Sequence, residues 1–406
     1  MSTRALKTAG IALVAVVIFA VGTLSGIVID RSTASNVTVT QGNKADFQLI
    51  DQAWGLIRDN YVDQTSAQPQ QLTYGAIGGM ADALGDTGHS TFLTPQEVLQ
   101  QNEAIQGQLE GIGAEIQLKN GGVIIVAPID GSPAQKAGLH SGDIILKVDG
   151  QPVTGVIDAV TRIRGPAGTS VTVTIQDASG TISDVTIVRA KINLVSVTWL
   201  MIPGTTIAHL RLDSFDSTTT SELDTALASI QSQGATGIIL DLRNNPGGLL
   251  GQAVSVASRF ISTGNVLLEK DIHDKITAVP VQTGVAVTGL PMVVLVNEGT
   301  ASAAEIVAGA LQDSGRAKLV GETTFGTGTV LQQFSLTDGS ALLLAVQEWL
   351  TPSGKTIWHK GLTPDTVVSL ASNVTALIPD AEKSMSADGI KSSGDQQLLD
   401  ALSLLQ

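Results

Sequence analysis

The chain contains no cysteine, which removes disulfides, thiol nucleophiles and thiolate metal sites together. Its five histidines, at 89, 140, 209, 273 and 359, form no His-x-x-x-His pair, so neither a metal nor a metal-dependent activity is expected. Aromatic residues make up 3% and charged residues 15% of the chain, and Lys+Arg 23 against Asp+Glu 37 leaves a net charge of −14. No basic run with interleaved aromatics occurs, so nucleic acid is not an expected partner. What is abundant is apolar: 43% hydrophobic residues exclude a disordered chain. At 406 residues there is room for two or three domains with real cores.

Ala9 to Ile29 carries no charge, is rich in Ala, Val and Ile, and is preceded by Arg4 and Lys7 and followed by Asp30. At about 1.5 Å per residue this run spans the roughly 30 Å of bilayer hydrocarbon, and the positive flank places its short tail in the cytoplasm. A cleaved signal peptide is the competing reading, but such apolar regions are usually about 7–15 residues long and no clear cleavage site follows. The expectation is a cell-membrane, single-pass anchor with the bulk of the chain extracytoplasmic.

Beyond a polar linker, Phe47, Ile50, Trp54, Ile57 and Tyr61 share one helical face. Leu72, Met80 and Leu84 mark a second helix, and Thr94-Pro95-Gln96-Glu97 reads as a capping box that opens a third. At Gly107 the texture changes to short β runs, among them Val123–Val126, Ile144–Val148 and Val171–Ile175, with a tight turn at Asp149-Gly150. From Ile207 strands and helices alternate, which implies an α/β layered core. Ala371 to Gly394 is polar and reads as loose, and Asp395–Leu405 as a closing helix.

Two loops follow the apolar strands Gly237–Leu242 and Met292–Val296, and this is where α/β sheets place their sites. Ser302 opens the helix after the second, where free N–H groups and the positive dipole end suit a nucleophile and its oxyanion. Ser302-Ala303-Ala304-Glu305 is also a capping box that needs no catalysis. Pro246-Gly247-Gly248 reads locally as a tight strand–helix turn, one that could also aim N–H groups at a developing negative charge.

These segments resemble the C-terminal processing peptidases, the tail-specific serine proteases. Asp241 to Gly248 is similar to the family's sheet-to-helix loop, and Val296 to Ile306 to its nucleophile segment, with the serine on Ser302. Gly111-Ile112-Gly113-Ala114-Glu115-Ile116, Ser132-Pro133-Ala134 and Gly142-Asp143-Ile144-Ile145 look like its inserted PDZ domain; Thr351 to Gly354 and Gly361 to Asp365 match late motifs. The resemblance implies an α+β multidomain fold: an α/β layered (ClpP/crotonase-like) serine peptidase core with an inserted β-rich PDZ domain and an N-terminal helical region. The expected organisation is a cytoplasmic tail (1–8), transmembrane anchor (9–29), linker (30–44), helical region (45–106), PDZ domain (107–191), core (192–370) and C-terminal tail with a short helix (371–406). It further implies an acyl-enzyme mechanism without a cofactor, with Gly247 or Gly248 and Ala303 as oxyanion donors. Gly111, Ile112, Gly113 and Ala114 would hold the terminal carboxylate of protein substrates with apolar tails; a homo-oligomer is left open.

The chain departs from the family at one place. Where the family carries a lysine base and, four residues on, a glutamine that positions it, Phe325-Gly326-Thr327-Gly328-Thr329-Val330-Leu331-Gln332 has Thr327 and Leu331. Threonine is no base near neutral pH, and leucine forms no hydrogen bond; Gln332 is one residue off and would face the other side of a strand. One explanation is a replacement base. His89, in Asp86-Thr87-Gly88-His89-Ser90, is the candidate, since imidazole titrates near pH 6.5 and the related tricorn-type peptidases use a Ser-His pair. Glu348 is the weaker candidate for orienting it, and Lys355, Lys360 and His359 lie among turn residues that point to exposure. The other explanation is a catalytically dead PDZ scaffold that binds protein C-termini without cutting them.

Overall fold

The computed structural model describes residues 47–406 except 87–89, 120–121, 130, 178 and 372–373. The segment read as an anchor, and His89, therefore lie outside the described residues; among those described, no helix is long and apolar enough to cross a membrane.

Helices α1 (Phe47–Asn60) and α2 (Pro69–Asp82) form over the 3–4 spacing and the Leu72 and Met80 patch, and Pro69 begins α2. No α1 residue is buried, and Phe47, Ile50 and Ile57 of the expected inner face stand exposed. Strand β1 (Thr91–Leu93) and helix α3 (Pro95–Ile105) follow. The α3 capping box is complete: Thr94 Oγ1 accepts from Glu97 N–H, and Glu97 accepts from Thr94 N–H at 2.7 Å.

A strand pair, β2 (Gln108–Gly111) with β9 (Ala190–Asn193), opens and closes the β-rich unit. Between them lie β3 (Ala114–Lys119), β4 (Gly122–Pro128), α4 (Pro133–Lys136), β5 (Ile144–Val148), β6 (Gln151–Pro152), α5 (Val156–Ile163), β7 (Ser170–Gln176) and β8 (Ile182–Val188). The sheet runs β3-β4-β5-β7-β8, which leaves β3 an edge strand, and α5 lies against it. Ile112, Ile125, Val148, Ala159, Val173 and their neighbours make a core separate from that of the rest of the chain.

The remaining residues build the α/β layers. Strands β10 (Val197–Met201), β11 (Ile207–Leu212), β12 (Gly237–Asp241), β15 (Met292–Val296), β16 (Lys318–Gly321) and β19 (Thr366–Val367) form one sheet in that order, parallel apart from the β10–β11 pair. Every β12 and β15 residue is buried, as expected of parallel strands covered on both faces. Helices α6 (Thr219–Ser232), α7 (Leu250–Ala257) and α8 (Ala303–Asp313) pack with this sheet's largest apolar cluster. A second sheet joins β13 (Asn265–Lys270), β14 (Ile276–Pro280), β17 (Thr329–Ser335) and β18 (Ala341–Leu350) to β1.

The tail is not loose. Short helices α9 (Pro379–Glu382) and α10 (Ala387–Lys391) precede α11 (Gln396–Leu405), and Ile390, Leu398, Ala401 and Leu402 are buried against Ile239, Val293, Leu295 and Val320. Composition misleads here because what fixes the segment is a few buried apolar and charged residues rather than a periodic face.

Candidate active site

Strand β15 ends at Val296, and its loop turns into α8 through Ser302, whose backbone sits at φ 54 and ψ −120. A non-glycine residue there is strained, and such strain gathers at functional turns. The turn lifts Ser302 to the first N–H groups of α8, those an α-helix leaves without an internal partner. Ser302 is 3% exposed, and its Oγ is buried without a hydrogen-bond partner among the described residues. The capping role read from the sequence is therefore half fulfilled: Glu305 accepts from Ser302 N–H at 3.0 Å, while the hydroxyl caps nothing.

The loop after β12 lies directly against this turn. Ala301 N–H donates to Asn245 O, Asn297 Nδ2 donates to Asn244 Oδ1, and Thr300 Oγ1 donates to Leu242 O. Gly247 must be glycine: at φ 100, a Cβ on it would stand 2.6 Å from Ser302 Cβ and 2.8 Å from Ala303 N. Its own N–H donates to Asn245 Oδ1 at 2.8 Å. That use ties the Gly247 N–H into its own loop. Gly248 is fixed against Phe215, whose carbonyl oxygen a Cβ would meet at 2.3 Å.

Glu305, fully buried, is the residue the sequence reading missed. Beside Ser302 N–H it accepts from Gly326 N–H, Thr327 N–H and Thr324 Oγ1. Burial pushes its carboxyl above the ordinary range, against those four donors. One side chain thus ties the Ser302 turn to the segment bearing Thr327. Its capping-box position was visible in the sequence, but its four-way role depends on a segment some twenty residues on.

Thr327 is buried, and Leu331 lies in an apolar cluster with Leu93, Ala341 and Leu343. The register slips between Val330 and Leu331, so that Leu331 faces Ala345 on β18. Ser90 meets the same place: its Oγ accepts from Ala345 N–H at 3.0 Å and donates to Asp86. Glu348 lies three residues on, paired with Thr329 across the ladder. Its carboxylate takes Lys270 Nζ at 2.8 Å and the Thr356 hydroxyl. Burial would raise its pKa, but these partners hold it below the usual value, so it is ionised. Lys360 and His359 are exposed; His359 N–H bonds Gly326 O, and its ring stacks on Trp358.

In the β-rich unit, Gly113 stands at φ 76, where a Cβ would meet Ser132 Cβ at 2.5 Å. The carbonyls of Ile112 and Gly113 accept from Ala134 and Ile129 N–H. Across a trans peptide the Ala114 N–H then points away from Ile129, at the head of the unpaired β3 edge.

A strained, buried serine turn against a glycine-rich loop in an α/β core, in a chain with an edge-stranded PDZ-like unit, points to a PDZ-bearing serine peptidase. Residues 206–368 match peptidase family S41 and residues 124–177 a PDZ domain. The carboxy-terminal processing protease CtpA of Bacillus subtilis is 38% identical over 353 residues, covering 86% of this chain and 73% of that protein. A CtpA-like serine protease of Staphylococcus aureus is 35% identical over 80% of the chain, which spans 65% of that relative's length. A Bacteroides fragilis chain assigned to the S41 proteases shares the fold at a TM-score of 0.54 and 17% identity, over 90% of this chain and 98% of that one. The chain belongs to the carboxy-terminal processing proteases of family S41.

Proposed function

We propose that this serine protease cleaves near protein C-termini through an acyl-enzyme on Ser302, with histidine and carboxylate replacing the lysine and glutamine of its relatives. The carrying observation is Ser302: a strained turn, a hydroxyl buried without a partner among the described residues, and the Gly247 turn packed against it and Ala303; the N–H groups of Ala303 and Gly248 are the proposed donors. Those donors would hold the oxyanion, a contribution of about 3–4 kcal/mol per donor.

Thr327 and Leu331 supply no base, and His89 is our candidate. Its neighbour Ser90 is fixed on β18 at Ala345, and the apolar Leu331 seats Leu93. The leucine in the glutamine's place thus helps dock the segment that follows His89. Glu348, ionised on the same strand, would orient the imidazolium once its contact with Lys270 is exchanged. The Gly111–Ala114 loop would hold a terminal carboxylate and β3 would take the apolar tail as an added strand. Residues 9–29 would anchor the enzyme in the cell membrane with its catalytic part outside the cytoplasm.

The test uses a serine-directed acylating probe and intact-mass analysis, together with a tail peptide in free-acid and amidated forms. We expect a single adduct on Ser302, none on Ser302→Ala, and preference for the free acid. A folded protein that takes no adduct and cuts no tail peptide would overturn catalysis in favour of a binding scaffold. Equal affinity for both peptide forms would overturn the carboxylate site.

A further inference from the structure

His209 on β11 is fully buried, and both its ring nitrogens are engaged. Nδ1 lies 2.7 Å from Glu382 on α9, and Nε2 lies 3.1 Å from Asp241 at the end of β12. A neutral imidazole has one N–H, so only the imidazolium can donate to both carboxylates. Asp241 also takes the Arg243 guanidinium at 2.7 Å and accepts from Arg243 N–H. Arg243 reaches on to Asp395, the N-cap of α11, and to Leu377 O.

The other charges near His209 are Arg211, which faces Asp213 and Asp241, and Asp380 on α9, which acts on Asp213 and is itself paired with the exposed Lys383. On β10 the ladder partner of His209 is the uncharged Leu200. His209 therefore supplies one of three cations among Asp241, Glu382, Asp395 and Asp213. Burial opposes its charge, but the Asp241 and Glu382 hydrogen bonds outweigh this and raise its pKa.

The chain of contacts ends at the site. Arg243 opens the loop that carries Asn245, Gly247 and Gly248, and Asn245 places the loop against Ala301. We propose that His209 is a positioning residue for catalysis: with Asp241 and Arg243 it locks the C-terminal segment onto the sheet and fixes the loop that presents the Gly248 oxyanion donor. The tail is then part of the catalytic apparatus although it touches no substrate. This inference rests on the oxyanion role given above to Gly248.

The experiment compares the full chain with His209→Gln and Asp395→Asn, by tail-peptide kinetics and by hydrogen exchange at 243–249 and 397–402, corrected for intrinsic rates, from pH 6.5 to 9.5. We expect kcat to fall ten- to a hundredfold in either variant, with KM changed less than twofold. In the unmutated chain the protection of both segments should fall together in a one-proton step as pH rises; in His209→Gln it should be low throughout and without that step. Folding is checked by protection of β7 and β15. Should His209→Gln not fold, Asp395→Asn decides by the kcat loss and the coupled loss of protection. Loosening confined to 397–402, or an unchanged kcat, would overturn the proposal. Should the unmutated chain cut nothing, the catalytic reading fails, while the exchange arm still decides whether the lock holds the loop.

Discussion

At the scale of single residues, backbone strain gathers at the candidate site. Asn244, Ser302 and His359 are non-glycine residues with positive φ, and each lies on a segment in contact with the Ser302 turn or the Thr327 loop. Glycine adopts such a backbone at little cost, so Ser302→Gly should abolish cleavage yet stabilise the fold by about 1 kcal/mol. Ser302→Ala should abolish cleavage without that gain, a contrast measured by thermal melts of the two variants. Glu305→Gln replaces one of two acceptor oxygens with a donor facing N–H groups. It should cost about 2–4 kcal/mol and lower kcat by more than tenfold, as read by urea unfolding and steady-state kinetics. Glu305→Asp, which keeps the charge but shortens the reach, should fall between.

At the scale of elements, the departure from the family becomes a packing fact. Leu331 closes an apolar cluster in which β1 is seated on β18. Leu331→Gln buries an amide with no partner and should cost about 2–3 kcal/mol. Amide exchange at Thr91–Leu93 should then speed up before the core strands do; unchanged protection there would count against the docking role. How much of this was legible depends on range. The apolar runs of β12 and β15, the capping box at Thr94 and the break at Gly107 are local patterns, and the elements stand where those patterns place them. The exposure of the α1 face, the docking of α9 to α11 and the four donors on Glu305 depend on segments distant in the chain. Periodicity within a window does not encode them. Ser302 was legible as a candidate position, but its strain and its unpartnered hydroxyl were not.

At the scale of the whole molecule, the buried charges set a pH window. Burial would raise the pKa of Asp241, but Arg243, His209 and Arg211 hold it well below the usual range. Its contribution to stability is present at neutral pH and is lost as pH falls through that low value. The raised pKa of His209 has the opposite sign: its contribution is complete below about pH 6.5 and is lost as pH rises through the folded-state value. Stability against urea should therefore peak between the two, and His209→Gln should flatten the alkaline side and weaken the acid side, since His209 helps hold Asp241 low.

His89 is proposed to stand in for the lysine that the relatives of this peptidase use. The most direct measurement is kcat/KM for a free-acid tail peptide, from pH 5 to 9, for the unmutated chain, His89→Ala and Thr327→Lys. Catalysis through His89 should show as a rise through one ionisation in the unmutated chain, and as a loss of about 10²–10⁴-fold in His89→Ala. Thr327→Lys should give no gain, because Leu331 offers that lysine no hydrogen bond. Full activity in a folded His89→Ala protein would contradict it.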